Sequence, residues 1–492
     1  MKTNDTSSTQ TRPHVVIVGG GFAGQALASE LKKTAVDITL IDKNNFLTFQ
    51  PLLYQVATAG LEPEEIVYPI RAVFQNQNNF RFRLGKVVGV DWRQKKVYLE
   101  GQLPIAYDYL VIAAGTTPNF FGISGAQRHC FPLKQLSDAI NLRSHVLKQF
   151  EKADRAPELL KKGLLNFAVI GGGPTGVEMA GALIELFQNT LTNDYPELPV
   201  EKARVILIEA GGQLLGAFNK DSQKHAHEVL SERGVHIVTN ERVIEVADGA
   251  ILLGSKRVIK TATPIWAVGV KASPLAGVLQ LEQTRGGRIL VNGDLSIPEK
   301  EGAFVIGDMA GCMDEEGNLH PQLASVAKQG AKHVAAQIKA TLDNKPGNDF
   351  RYKDPGIMAT IGRHAAVAEF PGEIRLEGFF AWLTWLSLHL LLLVGFHNRV
   401  HVLVSWLCNY FTKDRSARLI LDSEDEVHNE GKRTPRIPSL PVVSMPVGIK
   451  DDLITMQALP EKNRGHSEAL DRIQHILQNA EKSLEAAKQP AG

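Results

Sequence analysis

The stretch HVVIVGGGFAGQALASELKK, His14 to Lys33, decides the fold. A β-branched run from Val15 to Val18 meets a glycine cluster and then a helical apolar pattern, which predicts a strand, a tight turn and a helix. Gly19, Gly21 and Gly24 keep the G-x-G-x-x-G spacing. The first permits the tight turn, the second lets backbone approach a pyrophosphate, and the third packs helix against strand. The phosphates then sit at the helix N-terminus, where free N–H groups and the helix dipole favour negative charge. A second strand, VDITLID, ends at Asp42, 18 residues beyond Gly24, where a ribose hydroxyl would be held.

The device recurs at NFAVIGGGPTGVEMAGALIEL, Asn166 to Leu186, with Gly171, Gly173 and Gly176 after an apolar strand. It is followed by RVILIEAG, whose acid is Glu209. One glycine pattern alone is weak evidence, whereas two copies, each with strand, helix and terminal acid, are strong. The copies lie 152 residues apart and are too dissimilar in between for a solenoid, so they read as two separate dinucleotide folds. Two related strings, YLVIAAGTTPNFF (Tyr109–Phe121) and TPIWAVGVKASP (Thr263–Pro274), are apolar strands stopped by glycine and a later proline. GAFVIGDMAG supplies another strand ending in Gly307 and Asp308. This order predicts a first fold interrupted by the second and resumed at about Leu281 to Gly311.

Composition limits the remaining choices. The 492 residues allow about three domains, and 54 Lys+Arg against 53 Asp+Glu leave a net charge of +1, with no global electrostatic footprint for nucleic acid. Cys130, Cys312 and Cys408 form no close pair, which argues against a zinc knuckle or redox disulfide and for bystander thiols in a reducing compartment. No metal site is expected. The first 14 residues lack the apolar run of a secretory signal, so the body is expected to be cytoplasmic.

The C-terminal third changes character. GFFAWLTWLSLHLLLLVGF, Gly378 to Phe396, has His389 as its only ionisable side chain and by its 19 residues qualifies as a transmembrane candidate. Its near-uniform apolarity leaves spanning, interfacial attachment and burial against a second copy all open, and Trp382, Trp385 and Trp406 read equally as belt or core residues. Arg399, Lys413, Arg415 and Arg418 then face only Asp414, beside Trp406, Tyr410 and Phe411, a composition suited to an anionic membrane interface. Beyond Leu421 lie an acidic run, a proline-rich linker and LDRIQHILQNAEKSLEAAK, which has apolar residues near helical spacing.

A chain with two dinucleotide folds is built to pass a hydride between a nicotinamide and a flavin, with FAD held non-covalently in the first and NADH in the second. Glu209, with no arginine in its EAGG turn, favours the free ribose hydroxyl of NADH over the phosphate of NADPH. The plain alternative for Asp42 and Glu209 is a solvated charge ending a strand. Without a cysteine pair near the flavin, electrons must go directly to an acceptor, and the apolar segment suggests a lipid-soluble quinone. The expected class is α/β: two Rossmann-like domains plus apolar, membrane-binding helices. The expected boundaries are a polar arm 1–13, an FAD-binding domain 14–162 resumed at 281–372, an NADH-binding domain 163–280, membrane-binding helices 373–421 and a tail 422–492.

From Val15 to Ile420 the sequence resembles the type II NADH dehydrogenases, single-subunit flavoenzymes that oxidise NADH and reduce quinone at a membrane surface. The resemblance rests on VVIVGGGFAGQALA, FLTFQPLLYQVATAGLEPEEIVYPIR, VIGGGPTGVEMAGAL, TPIWAVGVKASPL, FVIGDMA, MATIGRHAAVAEF, WLTWLSLHLLLLVGFHNRVHVLVSW and YFTKDRSARLI. It implies that Gly19, Gly21 and Gly24 hold the FAD pyrophosphate, Asp42 its ribose and Asp308 its linking chain. It also places Gln50 to Leu53 near the isoalloxazine and the helix start at Ala324 against the flavin. Glu178 falls where the family has an acid close to nicotinamide and quinone; the plain alternative is a first-turn glutamate complementing the helix dipole. Where many members carry a quinone-site glutamine, this chain has Ser325, and neither Gln322 nor Gln329 is assigned in its place. The resemblance implies respiratory electron entry without proton pumping, and peripheral, monotopic attachment to the cytoplasmic face of the inner (plasma) membrane. The implied partners are NADH, a quinone, the bilayer surface and, in many members, a second copy of the chain. The rivals are a sulfide:quinone oxidoreductase, which needs a cysteine pair beside its flavin, and a non-catalytic FAD-binding redox sensor.

Overall fold

The computed structural model describes residues 12–284, 286–412 and 414–421. The candidate tail helix, nearly all of the N-terminal arm and Lys413 lie outside these residues.

Strand β1 (His14–Val18) leads through the glycine turn into α1 (Phe22–Glu30) and β2 (Asp37–Asp42). A short helix α2 (Leu53–Ala57), β3 (Phe80–Leu84) and β4 (Tyr109–Ile112) follow. The chain then crosses into a second sheet with β5 (Phe131–Pro132), the long helix α3 (Leu136–Arg155), β6 (Asn166–Ile170), α4 (Pro174–Leu186) and β7 (Arg204–Ile208). Helix α5 (Lys220–Glu232), β8 (His236–Val238) and β9 (Thr263–Trp266) complete that fold. Strand β10 (Ala303–Val305) returns to the first sheet, and α6 (Ala324–Leu342) packs over it.

The two sheets are built alike. The first runs β10-β4-β1-β2-β3 and the second β5-β9-β6-β7-β8, all parallel. Strands of a parallel sheet covered on both faces read as continuous apolar runs, and Val15, Val16, Ile17, Phe167, Ala168 and Val169 are accordingly fully buried. Because β10 pairs with β4, the first sheet is completed only after the second has been made. The two crossings between them pair antiparallel, residues 116–118 against 270–272.

The chain ends in a three-stranded antiparallel sheet, β11 (Ile357–Gly362), β12 (Ala365–Phe370) and β13 (Ile374–Glu377), followed by α7 (Gly378–Leu392) and α8 (Phe396–Thr412). The 19-residue apolar run is therefore broken: α7 stops at Leu392 and the chain turns at Leu393–Gly395. Among the described residues no helix is long and apolar enough to cross a membrane, which corrects the spanning alternative. One apolar cluster extends from the second sheet through Leu53, Val177 and Val367 to Trp385, Leu393 and Val402, so both terminal helices are anchored in the protein core.

The basic residues after α7 also depart from expectation. Arg415 donates to the carbonyls of Thr58 and Ala182 and pairs with Glu185, while Arg418 pairs with Asp194 at 2.8 Å and with Asp414. Arg399 caps α7 by donating to the carbonyls of Leu391 and Leu393. These three guanidinium groups are each engaged within the protein, because carboxylates and open helix-end carbonyls lie within their reach.

Candidate active site

The two glycine turns form matching cradles at the carboxyl ends of their sheets. Gly19 and Gly171 adopt φ of +110° and +111°, a region side chains rarely enter. A Cβ at Gly24 or Gly176 would lie 1.9 or 1.8 Å from the carbonyl oxygen of Gly19 or Gly171, which only glycine avoids. Gly21 and Gly173, by contrast, have nothing within 4 Å of such an atom. They also begin α1 and α4 without a side-chain cap, leaving backbone N–H groups open beside free space. These features fit a bound pyrophosphate in each fold.

The acids are held identically. Asp42 accepts from the N–H of Gly20 at 2.6 Å and of Asn44 at 2.7 Å, and Glu209 from Gly172 and Gly211, both at 2.6 Å. Each carboxylate is thus fixed over its glycine turn, and it retains further acceptor positions for a ribose hydroxyl.

Asp308 stands just past β10. Its carboxylate accepts from Thr116 Oγ1 at 3.2 Å and lies 4.0 Å from Lys134 Nζ, while its carbonyl accepts from Gln322. Ala324 begins α6 with no side-chain cap, and α6 packs along α1. Gln50 opens a short turn leading to Leu53 and is exposed. Ser325 does not point into open space: its hydroxyl pairs with the Tyr352 hydroxyl at 2.8 Å. Gln329 is held on both the N–H and the carbonyl of Lys353. The three polar side chains considered for the quinone contact are therefore all engaged within the protein.

Glu178 occupies a different setting. It sits in the second turn of α4, its Oε1 accepts from the Thr360 N–H on β11 at 3.4 Å, and Trp385 of α7 lies beside it. Protein surrounds it on most sides, although part of it still reaches solvent, and burial raises its pKa from 4.5 to about 8. Tyr54 of α2 is close enough for the same carboxylate, after burial, to push the phenol further upward. Tyr54 accepts from Gln55, whose Oε1 accepts from Trp406 Nε1 at 2.7 Å. His389 stacks on Trp385 at 3.9 Å, donates through Nδ1 to the Trp385 carbonyl and is driven by burial to about 4, hence neutral. Thr360, Tyr54, Trp385 and His389 lie in stretches that carry the family resemblance, but the sequence assigns none of them a role in the site; Trp385, read as belt or core, is core.

The thiols lie apart from this chemistry. Cys130 belongs to the apolar cluster under the second sheet and Cys312 to that of the first, with burial raising them to about 12 and 11; Cys408 lies exposed on α8. No two of them form a dithiol, and no metal-holding cluster occurs among the described residues.

Comparison with known proteins agrees with this layout. The pyridine nucleotide-disulphide oxidoreductase family matches residues 13–331, and the NDH2 C-terminal domain matches residues 355–413. Type II NADH:quinone oxidoreductase Ndh of Mycobacterium tuberculosis is 39% identical over 437 residues, which span 85% of this chain and 92% of that protein. NDH2 from Plasmodium falciparum, solved in complex with NADH, has a TM-score of 0.76 at 21% identity and covers 84% of this chain and all of its own. The sulfide:quinone oxidoreductase of Aquifex aeolicus has a TM-score of 0.63 at 19% identity, over 82% of this chain and 96% of its own. At such identities both structures speak for the fold.

Proposed function

The chain belongs to the type II NADH:quinone oxidoreductases, and from that premise we propose that it binds FAD non-covalently in the first cradle, takes NADH in the second, and passes the electron pair to a quinone arriving from a lipid surface. The net reaction is NADH plus a proton plus quinone giving NAD⁺ and quinol. Bound FAD would supply the hydride acceptor that couples the two substrates. Gly19, Gly21, Gly24, Asp42 and Asp308 hold and orient that cofactor, with Gln50 and the α6 start at Ala324 lying toward its ring. Gly171, Gly173, Gly176 and Glu209 hold NADH; the fixed carboxylate of Glu209 accepts a ribose hydroxyl and repels a phosphate in its place.

The observation that carries this reading is the position of Glu178. It rises from the nucleotide-binding helix α4 yet abuts α7, so one carboxyl stands between the NADH fold and the apolar helices. Carrying its proton at neutral pH, it can deliver that proton to quinone oxygen and regain one from solvent. The outer sides of α7 and α8 expose Phe380 (71%), Leu391 (67%), Phe396 (81%) and Phe411 (77%), a face suited to one leaflet, on the cytoplasmic side of the inner membrane. A second copy of the chain is the other cover such a face admits. The separation of Cys130 from Cys312 disfavours sulfide oxidation.

The test is anaerobic stopped-flow absorbance of the yellow full-length protein mixed separately with NADH, NADPH and sulfide, then with a short-chain quinone. Rapid bleaching by NADH, slow bleaching by NADPH and recolouring by quinone are expected. Bleaching by sulfide alone would overturn the reading, and bleaching by NADH without turnover on any quinone would favour the redox sensor.

A further inference from the structure

Trp385 heads the fully buried side chains in size, yet its indole N–H has no hydrogen-bond acceptor. A buried N–H without an acceptor is costly, and native proteins seldom leave one unless something else completes it. The other indoles of the interior are satisfied: Trp406 donates to Gln55 Oε1 at 2.7 Å and Trp266 to the Asn119 carbonyl at 3.0 Å. The Trp385 N–H faces Glu178 closely enough to favour its carboxylate slightly, but the two fall short of a hydrogen bond. Glu178, with its pKa raised to about 8, carries its own proton at neutral pH and is a donor as well. The indole N–H is thus left without an acceptor at hydrogen-bonding geometry, beside a carboxyl that can itself donate.

A ligand reaching this point must bring an acceptor oxygen, and the aromatic rings packed around Trp385 favour a flat one. His389 stacks on Trp385 at 3.9 Å and 20°, Tyr54 meets it edge-on at 6.3 Å, and Trp406 tilts against it at 6.2 Å. His389, neutral and bonded to the Trp385 carbonyl, adds no charge.

Resting on the quinone reading above, we propose that the Trp385 indole N–H, beside Glu178, donates to a carbonyl oxygen of the quinone head group, which makes Trp385 a quinone-binding residue. An oxidised quinone supplies the missing acceptor on a planar ring. The quinol presents a hydroxyl there, whose hydrogen must rotate away from the N–H, so the same contact favours substrate over product.

The test uses the full-length protein loaded with FAD and bearing β-(3-benzothienyl)alanine at position 385, which keeps the bicyclic shape and replaces N–H by sulfur. Trp385→Phe is the second variant. Calorimetric titration with a short-chain benzoquinone is expected to show a Kd about three- to ten-fold weaker, with KM for the quinone rising in parallel. Turnover of NADH with ferricyanide, an acceptor with no carbonyl oxygen to anchor, should not follow that rise. Unchanged Kd and KM in the isosteric variant would overturn the proposal, as would equal losses with quinone and ferricyanide. A wild-type protein that reduces ferricyanide but no quinone would instead sink the proposed function itself.

Discussion

The dinucleotide folds and the last helix, α8, dock their inner faces by different means. In β1, β4 and β6 the apolar side chains are inside and fully covered. In α8 four hydrogen-bonding side chains point inward. Asn398 donates to the Val67 carbonyl, Ser405 to Glu65, Trp406 to Gln55 and Asn409 to the Gly60 carbonyl, at 2.5 to 2.7 Å, while Phe396, Val400, Leu403, Val404, Leu407 and Phe411 face outward. A contiguous exposed apolar face is costly in water and calls for a cover, which lipid or a second copy of the chain can supply. Together the two regions show that helix amphipathicity reports which surroundings a segment meets, and that the inner face of α8 is recognised by hydrogen bonds where the sheets rely on packing.

The most severe way to break the contrast is at the junction. Glu185 of α4 accepts from Arg233 and from the Arg363 N–H, both at 2.5 Å, and pairs with Arg415 at 3.4 Å. Glu185→Ala leaves these largely buried donors uncompensated and is expected to cost about 3–5 kcal/mol, read as a large fall in thermal midpoint. A protein that melts normally would remove the junction from the account. Next in size is the outer face itself. Replacing Phe380, Leu391, Phe396 and Phe411 together by serine should weaken partition onto lipid vesicles at least about 100-fold, since each buried side chain contributes about 1.5–3 kcal/mol. The same change should leave the melting temperature nearly in place, because those side chains pack against little in the chain. Equal vesicle binding would show that another surface, or a second copy, takes that face.

Asn398→Ala probes the hydrogen-bonded inner side and should destabilise by about 1–2 kcal/mol, because the half-buried Val67 carbonyl loses its donor; denaturant titration measures it. A pH dependence sharpens the comparison at Glu178 itself. Glu178 binds its proton more tightly folded, with a pKa of about 8, than unfolded, near 4.5, so its contribution is fully present below about pH 4.5 and is lost as pH rises to about 8. Thermal melts of the wild type and Glu178→Gln between pH 5 and 9 should therefore diverge, the wild type losing stability relative to the variant until about pH 8 and running parallel above it. Parallel melts throughout would mean that the carboxyl is ionised in the folded protein.

Particular residues show where sequence reading reaches its limit. Val15–Val18, the glycine spacing and Asp42 are neighbours along the chain, so local periodicity and turn chemistry reveal them directly. Arg415 and Arg418 read as headgroup ligands because only their neighbours in sequence could be weighed; Glu185 and Asp194 lie more than 200 residues away. Ser325 could be read only as the residue standing where many family members carry glutamine; that its hydroxyl meets Tyr352 is a product of folding. The run from Gly378 to Phe396 had length enough to span a bilayer, but hydropathy alone does not register the turn at Leu393–Gly395 or the docking of Trp385 into the core.

The sequence by itself determined two glycine-rich strand–turn–helix units, the acid that closes each, the lack of a neighbouring dithiol and an apolar C-terminal run. These follow from steric and hydrogen-bonding rules acting over a few residues to a few tens of residues. The tertiary structure alone decided that Glu178 meets Trp385 and Thr360, that Cys130 and Cys312 are sequestered in separate cores, and that α8 turns Asn398, Ser405, Trp406 and Asn409 inward. Each of these depends on burial and on partners distant in sequence, and those are fixed only when the packed chain excludes water from one set of contacts and leaves it at another.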